Sequence, residues 1–299
     1  MKTKNKKNKN LLFIILMLAP AFLFIIIFTY YPMGKGIIMA FQKYSLFNIN
    51  NIKWVGLDNF KTLFAPGSEM YTTLWNTLKW VTISLFFQFT IGFALAMMLR
   101  KKFRGSGIYQ GILFFPWAVS GFIIGIMWRW VLNGTAGVVN DLLMKIGILS
   151  EPYGFLANTS SSLNSVIVAN VWYGIPFFTL MIGAALKGVP NDLYEAADVD
   201  GANALTKFFK ITLPSIKPVL ILTVLLRVIW IFNFPDLIYS MTNGGPSGSS
   251  RILTSYMMEK VRSLDYGMAS AVGVVVILIL SIYTIIYLSV SRLGNSNEE

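Results

Sequence analysis

Six long apolar runs, at 11 to 31, 74 to 99, 108 to 132, 163 to 186, 216 to 234 and 268 to 290, restrict this chain more than any other feature. About 20 helical residues cross a hydrocarbon core, and lipid offers no partner to a free backbone N–H or C=O, so each run must close its own hydrogen bonds as a helix. The expectation is an all-α polytopic membrane protein with six transmembrane helices. They form a single domain over 11–292, between a basic tail at 1–10 and a short tail at 293–299. Composition agrees, with 55% hydrophobic and 13% charged residues and a mean hydropathy of +0.63. The first run follows Lys2, Lys4, Lys6, Lys7 and Lys9, but it exceeds the 7–15 apolar residues of a cleaved signal peptide and is read as a retained span.

Charge then orients the bundle. The net charge of +12 is scattered between apolar runs rather than gathered into a stripe, which reads as a topology signal and not as a nucleic-acid surface. Lysine and arginine crowd the N-terminal tail, the short 100–107 loop (Arg100, Lys101, Lys102, Arg104), the 187–217 stretch (Lys187, Lys207, Lys210, Lys217) and the C-terminal tail (Arg292). The other side spreads Lys35, Lys43, Lys53, Lys61, Lys145, Arg251, Lys260 and Arg262 over longer segments. Both termini are therefore expected in the cytoplasm, in a bacterial-type plasma membrane. Lys79 and Arg129 are expected to snorkel outward, and Trp54, Trp75, Trp80, Trp117, Trp128 and Trp130 to act as interfacial anchors.

Several chemistries drop out. The chain has no cysteine and no histidine, so disulfides, Cys or His metal sites and imidazole catalysis are excluded. No G-x-x-x-x-G-K-[ST] loop exists to hold nucleotide phosphates; Gly34-Lys35-Gly36 lacks the spacing and the hydroxyl. None of the thirteen acidic residues lies in an expected span, which weighs against a proton- or sodium-coupled secondary transporter. Gly121 and Gly125 form a small-x-x-x-small pair suited to close helix packing.

The segment 187–215, between the fourth and fifth runs, is the least membrane-like. Pro190 ends the preceding structure, Asp192 is positioned to cap a helix and Glu195 to complete a capping box. Ala196 and Ala197 give that helix a smooth face, and Gly201 allows a bend. The next stretch, 202 to 211, presents Leu205, Phe208, Phe209 and Ile211 to the rest of the protein, and Pro214 and Pro218 mark the start of the fifth span. Two readings stand: a rigid helix shaped to insert into a partner, or a connector lying along the membrane surface.

Here the residues carry a resemblance. Glu195-Ala196-Ala197, Asp200-Gly201-Ala202, Phe208, Ile211 and Leu213-Pro214 resemble the EAA loop of binding-protein-dependent ABC importer permeases. Val55-Gly56-Leu57-Asp58-Asn59-Phe60, Asn76-Thr77 and Thr242-Asn243-Gly244-Gly245-Pro246 resemble its maltose, lactose and glycerol-phosphate branch. The resemblance implies a permease subunit with no cofactor of its own. Two ATP-binding cassette subunits would carry ATP and magnesium and dock on the EAA helix, through Glu195, Ala197 and Gly201 with their neighbours Ala196, Asp200 and Ala202. It further implies a second homologous permease and an extracytoplasmic solute-binding protein, in contact with smaller loops than the extra domain of some maltose-type permeases.

Polar residues inside the membrane are costly and are functional candidates by default. Arg227 lies mid-span, where a charge costs roughly 2.5–3.5 kcal/mol on insertion scales, and Trp230, Ile231 and Phe234 continue its face beside Asn233. On the fourth run Asn170, Tyr173, Gly174 and Phe177 share a face. Aromatics, amides and a guanidinium suit a sugar, stacking on its C–H faces and bonding its hydroxyls. The alternative is that Arg227 and Asn170 tie helices together among core aromatics. Asn170, Gly174 and Trp230 match positions that resemble the maltose-type sugar site; Arg227 is not typical there, and Gln88 is a weaker candidate. The expected function is carbohydrate import; the alternatives are glycerol-phosphate or another polar solute, a secondary transporter, and a membrane scaffold.

Overall fold

The computed structural model describes the backbone of residues 2–100 and 104–295 and the side chains of residues 13–100 and 104–291. The expectations on the lysines of the 1–10 tail, on Lys101, Lys102 and Arg292, and on the 293–299 tail fall outside the described side chains. Among the described residues, five helices are long and apolar enough to cross a membrane: Phe13–Met39, Glu69–Met98, Ser162–Lys187, Ala204–Met241 and Tyr266–Ser291. They carry the first, second, fourth, fifth and sixth expected spans.

The third expected span is not one rod. Ser106–Ala118 and Gly121–Val131 meet at 102°. Pro116 removes a helix donor, and Val119 (φ −111°, ψ 140°) and Ser120 (φ −62°, ψ 142°) are extended, so the first helix stops before Gly121 begins the second. The fifth span also differs from its 216–234 window. Its helix already runs from Ala204, and Pro214 and Pro218 lie inside the helical run. A five-residue π turn, Phe208–Thr212, ends two residues before Pro214, next to the site of its missing N–H. At its far end the run breaks after Phe232 and resumes at Asp236–Met241, so exposed Asp236, which the shorter window left out, falls within the longer helix.

The chain divides into two compact units, one from residues 1–65 with 257–277 and one from residues 66–256 with 278–299. In the first, Gln42–Lys43 pairs antiparallel with Lys53–Trp54, matching Gln42 to Trp54 and Lys43 to Lys53. Asn59 explains the polar position in the Val55–Phe60 motif: its amide donates to the carbonyls of Ala40 (2.8 Å) and Gln42 (2.9 Å), clamping the helix end to the hairpin. Phe41 packs between Trp54 and Phe60, with ring centroids at 5.8 and 5.4 Å.

In the second unit the Glu69–Met98 and Ser162–Lys187 helices share a core of Ala96, Phe177, Phe178, Ile182 and Leu186, joined by Ile216. Trp80, expected at an interface, is fully buried and its Nε1 donates to the Ile231 carbonyl at 2.8 Å. The second helix begins at Glu69 rather than 74, which puts Trp80 three turns inside it. Asn76 and Thr77 reach the segment that follows Thr242–Pro246: Asn76 Nδ2 donates to the Ser249 carbonyl (3.1 Å) and Thr77 Oγ1 accepts from the Leu253 N–H (2.9 Å). Gly121 and Gly125 do serve packing, since a Cβ on either would collide with Phe234 or Ser240.

Candidate functional site

A chain of buried polar groups crosses three helices. Arg227 Nε donates to Gln88 Oε1 at 2.7 Å, Gln88 Nε2 donates to the Asn170 carbonyl at 2.8 Å, and Asn170 Nδ2 donates to Ser84 Oγ at 2.9 Å. Gly174 is what lets this crossing exist, because a Cβ there would run into the Gln88 amide and the Arg227 guanidinium. The guanidinium also lies over the Phe177 ring, with Cζ 5.4 Å from its centroid. Asn170 Oδ1 is buried with no hydrogen-bond partner among the described residues, an acceptor left open in a place where an unmet polar atom costs about 1–3 kcal/mol.

Asn170 also lines a cavity of about 250 Å³, together with Trp117, Tyr173, Arg227, Trp230, Ile231, Asn233 and Phe234. Tyr173 and Phe234 stack at 5.1 Å with an interplanar angle of 9°, making one wall. Trp230 reaches it from the last turn of the Leu213–Phe232 helix, and Asn233 and Phe234 reach it from just beyond the helix end. Six of the eight sequence candidates thus line one cavity. Gly174 and Phe177 do not: Gly174 makes room for the network, and Phe177 is fully buried behind the lining, 5.7 Å from Trp117 and 5.1 Å from Trp230 between ring centroids. Gln88 is likewise buried and holds Arg227 in place. Trp117, read as an interfacial anchor, belongs to the lining instead; its neighbour Pro116, at the break in the third span, was the available signal. Trp128 is half-buried against Trp172 (6.0 Å), while Trp54, Trp75 and Trp130 are exposed.

The second candidate segment forms the helix Asn191–Val199. Asp192 does not cap it: Pro190 holds the N-cap position, no side-chain cap bond forms, and Asp192 sits in the first turn, where its charge faces the positive helix end. The capping-box reading of Glu195 falls with it. Gly201 has φ +73°, a conformation that penalises any β-branched residue. Asn203 then caps the following helix through the Thr206 N–H at 2.8 Å. Glu195, Ala196, Asp200 and Gly201 are exposed, and Ala197 and Ala202 half-buried. Leu205 and Phe209 are exposed rather than turned to the protein, whereas Phe208 meets Phe93 and Ile211 packs on the core. Two features were missed. Val199 is 89% exposed, and Tyr194 binds the helix to the bundle, its hydroxyl 2.8 Å from Thr212 Oγ1 and its ring under Arg100 at 4.3 Å.

Comparison with known proteins fits this geometry. Residues 88–294 match the family described as binding-protein-dependent transport system inner membrane component. The trehalose/maltose transport system permease protein MalF of Thermococcus litoralis is 31% identical over 277 residues, 93% of this chain and 92% of that protein. The sulfoquinovosyl glycerol transport system permease protein SmoG of Agrobacterium fabrum is 31% identical over 279 residues, covering 93% and 90%. A chain in the crystal structure of a bacterial ABC transporter that imports the acidic polysaccharide alginate superposes with a TM-score of 0.82 at 27% identity, covering 97% of both chains.

Proposed function

The chain belongs to the binding-protein-dependent transport system inner membrane components, the permease subunits of ABC importers, and we propose that its cargo is a carbohydrate. The observation that carries this is the cavity lining: four aromatic side chains, two amides and a guanidinium. Sugar ring faces stack on Trp117, Trp230 and Tyr173, and hydroxyls bond Asn170 and Asn233. The cavity is smaller than the roughly 300–1,000 Å³ of closed ligand sites, which fits half of a path completed by a second, homologous permease.

In this reading the single membrane domain spans 11–292, both termini are cytoplasmic, and a solute-binding protein delivers the sugar from outside. Two ATP-binding cassette subunits supply ATP and magnesium and dock on Glu195–Ala202. Their closure moves the Asn191–Val199 helix, and the Tyr194 contacts with Thr212 and Arg100 pass that motion to the fifth and second spans.

Arg227 favours a second reading, an anionic sugar or sugar ester. It is 4% exposed, lines the cavity, and makes no ion pair among the described residues. The test is ATP hydrolysis by the reconstituted complex, with the binding protein loaded from a panel of neutral and acidic oligosaccharides, glycerol-phosphate, amino acids and peptides. Stimulation by carbohydrate alone is expected. Stimulation by amino acids or peptides alone would overturn the proposal, and Arg227→Met losing only acidic cargo would select the anionic form.

A further inference from the structure

A second cavity, of about 170 Å³, lies toward the end of the bundle that carries the Asn191–Val199 helix; its lining includes Arg100, Gln110, Phe114, Leu180, Ala184 and Lys187. Two helix faces join it to the first cavity. Along Ser162–Lys187, Asn170 and Tyr173 line the first cavity and Leu180, Ala184 and Lys187 the second, with Phe177 between them; steps of three and four residues keep all six on one face. Along the bent third span, Gln110 and Phe114 line the second cavity and Trp117 the first, again at helical spacing. Where the faces meet, Phe177 is fully buried against Trp117 and Trp230 and lines neither cavity.

Resting on the sugar-path reading, we propose that the second cavity is a release subsite, occupied by the carbohydrate after it has passed an aromatic barrier formed by Phe177 and Trp117. Gln110 supplies an amide donor and acceptor, Arg100 and Lys187 supply donors, and Phe114 supplies one ring face. Neither Arg100 nor Lys187 pairs with a carboxylate among the described residues, so their N–H groups are available to hydroxyls. With no stacked aromatic wall like that of Tyr173 and Phe234, the subsite holds sugar more loosely than the first cavity, as a release step requires. Arg100 also rests on Tyr194, which links the subsite to the proposed ATPase-docking helix.

The chain contains no cysteine, so single cysteines report position by position. Gln110→Cys and Ala184→Cys probe the second cavity and Asn233→Cys the first, in the complete complex in phospholipid vesicles with ATP, with and without sugar-loaded binding protein. Sugar is expected to slow maleimide labelling several-fold at all three positions. Protection at Asn233→Cys alone overturns the release subsite while leaving the sugar path intact. Protection at none of the three overturns the path itself. Labelling at positions 110 and 184 that follows anionic phospholipid content and ignores sugar assigns the cavity to a lipid headgroup, against the proposal. Phe177→Ala is expected to raise ATP-independent sugar leak several-fold, and vesicles as tight as wild type would remove Phe177 from the barrier.

Discussion

Replacing Gln88 by leucine removes the acceptor that holds the Arg227 guanidinium, and the cost follows from the geometry. The bond is 2.7 Å long, Gln88 is fully buried and Arg227 almost so. A hydrogen bond to a charged group contributes about 1.5–3 kcal/mol in a folded protein. In membrane bundles, however, polar couplings average about 0.6 kcal/mol and reach about 1.7, because separated helices find other partners. Burial and charge put this pair at the upper end, so a coupling of about 1.5 kcal/mol is expected, or roughly tenfold in an equilibrium constant. Gln88→Leu alone also breaks the bond to the Asn170 carbonyl and strands a buried cation, for a total of about 3–5 kcal/mol. Arg227→Met leaves only a neutral amide oxygen unmet and costs about 1–3 kcal/mol. The double variant should therefore be more stable than the sum of the two losses allows. Unfolding equilibria of the four forms in mixed micelles, titrated with denaturing detergent, measure the cycle. Additivity within about 0.5 kcal/mol would refute the claim that this contact holds the second and fifth spans together.

Trp230→Ala and Asn170→Ala should each lower sugar uptake several-fold while assembly with the ATPase survives; normal uptake kinetics at normal expression would return both residues to helix packing. Gly201→Val forces a β-branched residue to φ +73°, a strain of about 1–3 kcal/mol, and should abolish sugar-stimulated ATP hydrolysis without preventing insertion; intact stimulation would sink the docking-helix assignment. Asn59→Ala removes two clamping bonds, about 1–2 kcal/mol in all, so trypsin should cut faster at Lys43 and Lys53, and an unchanged rate would show the clamp to be dispensable. A reporter active only outside the cell should work at residue 150 and fail at residues 104 and 200, and the reverse pattern would invert the orientation.

Hydropathy located the spans because it measures what lipid selects, a long apolar surface, but it is blind to direction. Ser106–Ala118 and Gly121–Val131 sum to one apolar window although the chain turns by 102° between them, and with the turn Trp117 changes from an interfacial residue into a cavity wall. The error over Trp80 came from the window's start: opening the second span at 74 put Trp80 near a membrane boundary, whereas the helix begins at Glu69 and Trp80 lies three turns inside it, bonded to the Ile231 carbonyl. The faces of the fourth and fifth spans were legible because Asn170, Tyr173, Arg227 and Trp230 recur at helical spacing. Periodicity could not tell Phe177 or Gly174, which stand behind the lining, from residues that form it. The bend at Gly201 was legible for a local reason, since its φ is set by the turn itself, whereas the cap at Asp192 failed because Pro190 takes the N-cap position, two residues earlier than the capping box requires.

The latch between Asn76, Thr77 and the 249–253 segment ties the fold to the direction of synthesis. The amide at 76 and the hydroxyl at 77 are made more than 170 residues before the backbone groups they bond. Until the ribosome has passed that point, the first turns of the second helix carry in Asn76 an amide that hydrocarbon cannot satisfy, and water or the insertion machinery must attend to it. In a chain released before residue 249 the Thr77 hydroxyl still donates to the Thr73 carbonyl at 2.7 Å, whereas the Asn76 amide lacks the carbonyl it bonds in the finished fold. Completion of the loop after the fifth span is thus the moment at which the second span becomes a finished part of the bundle.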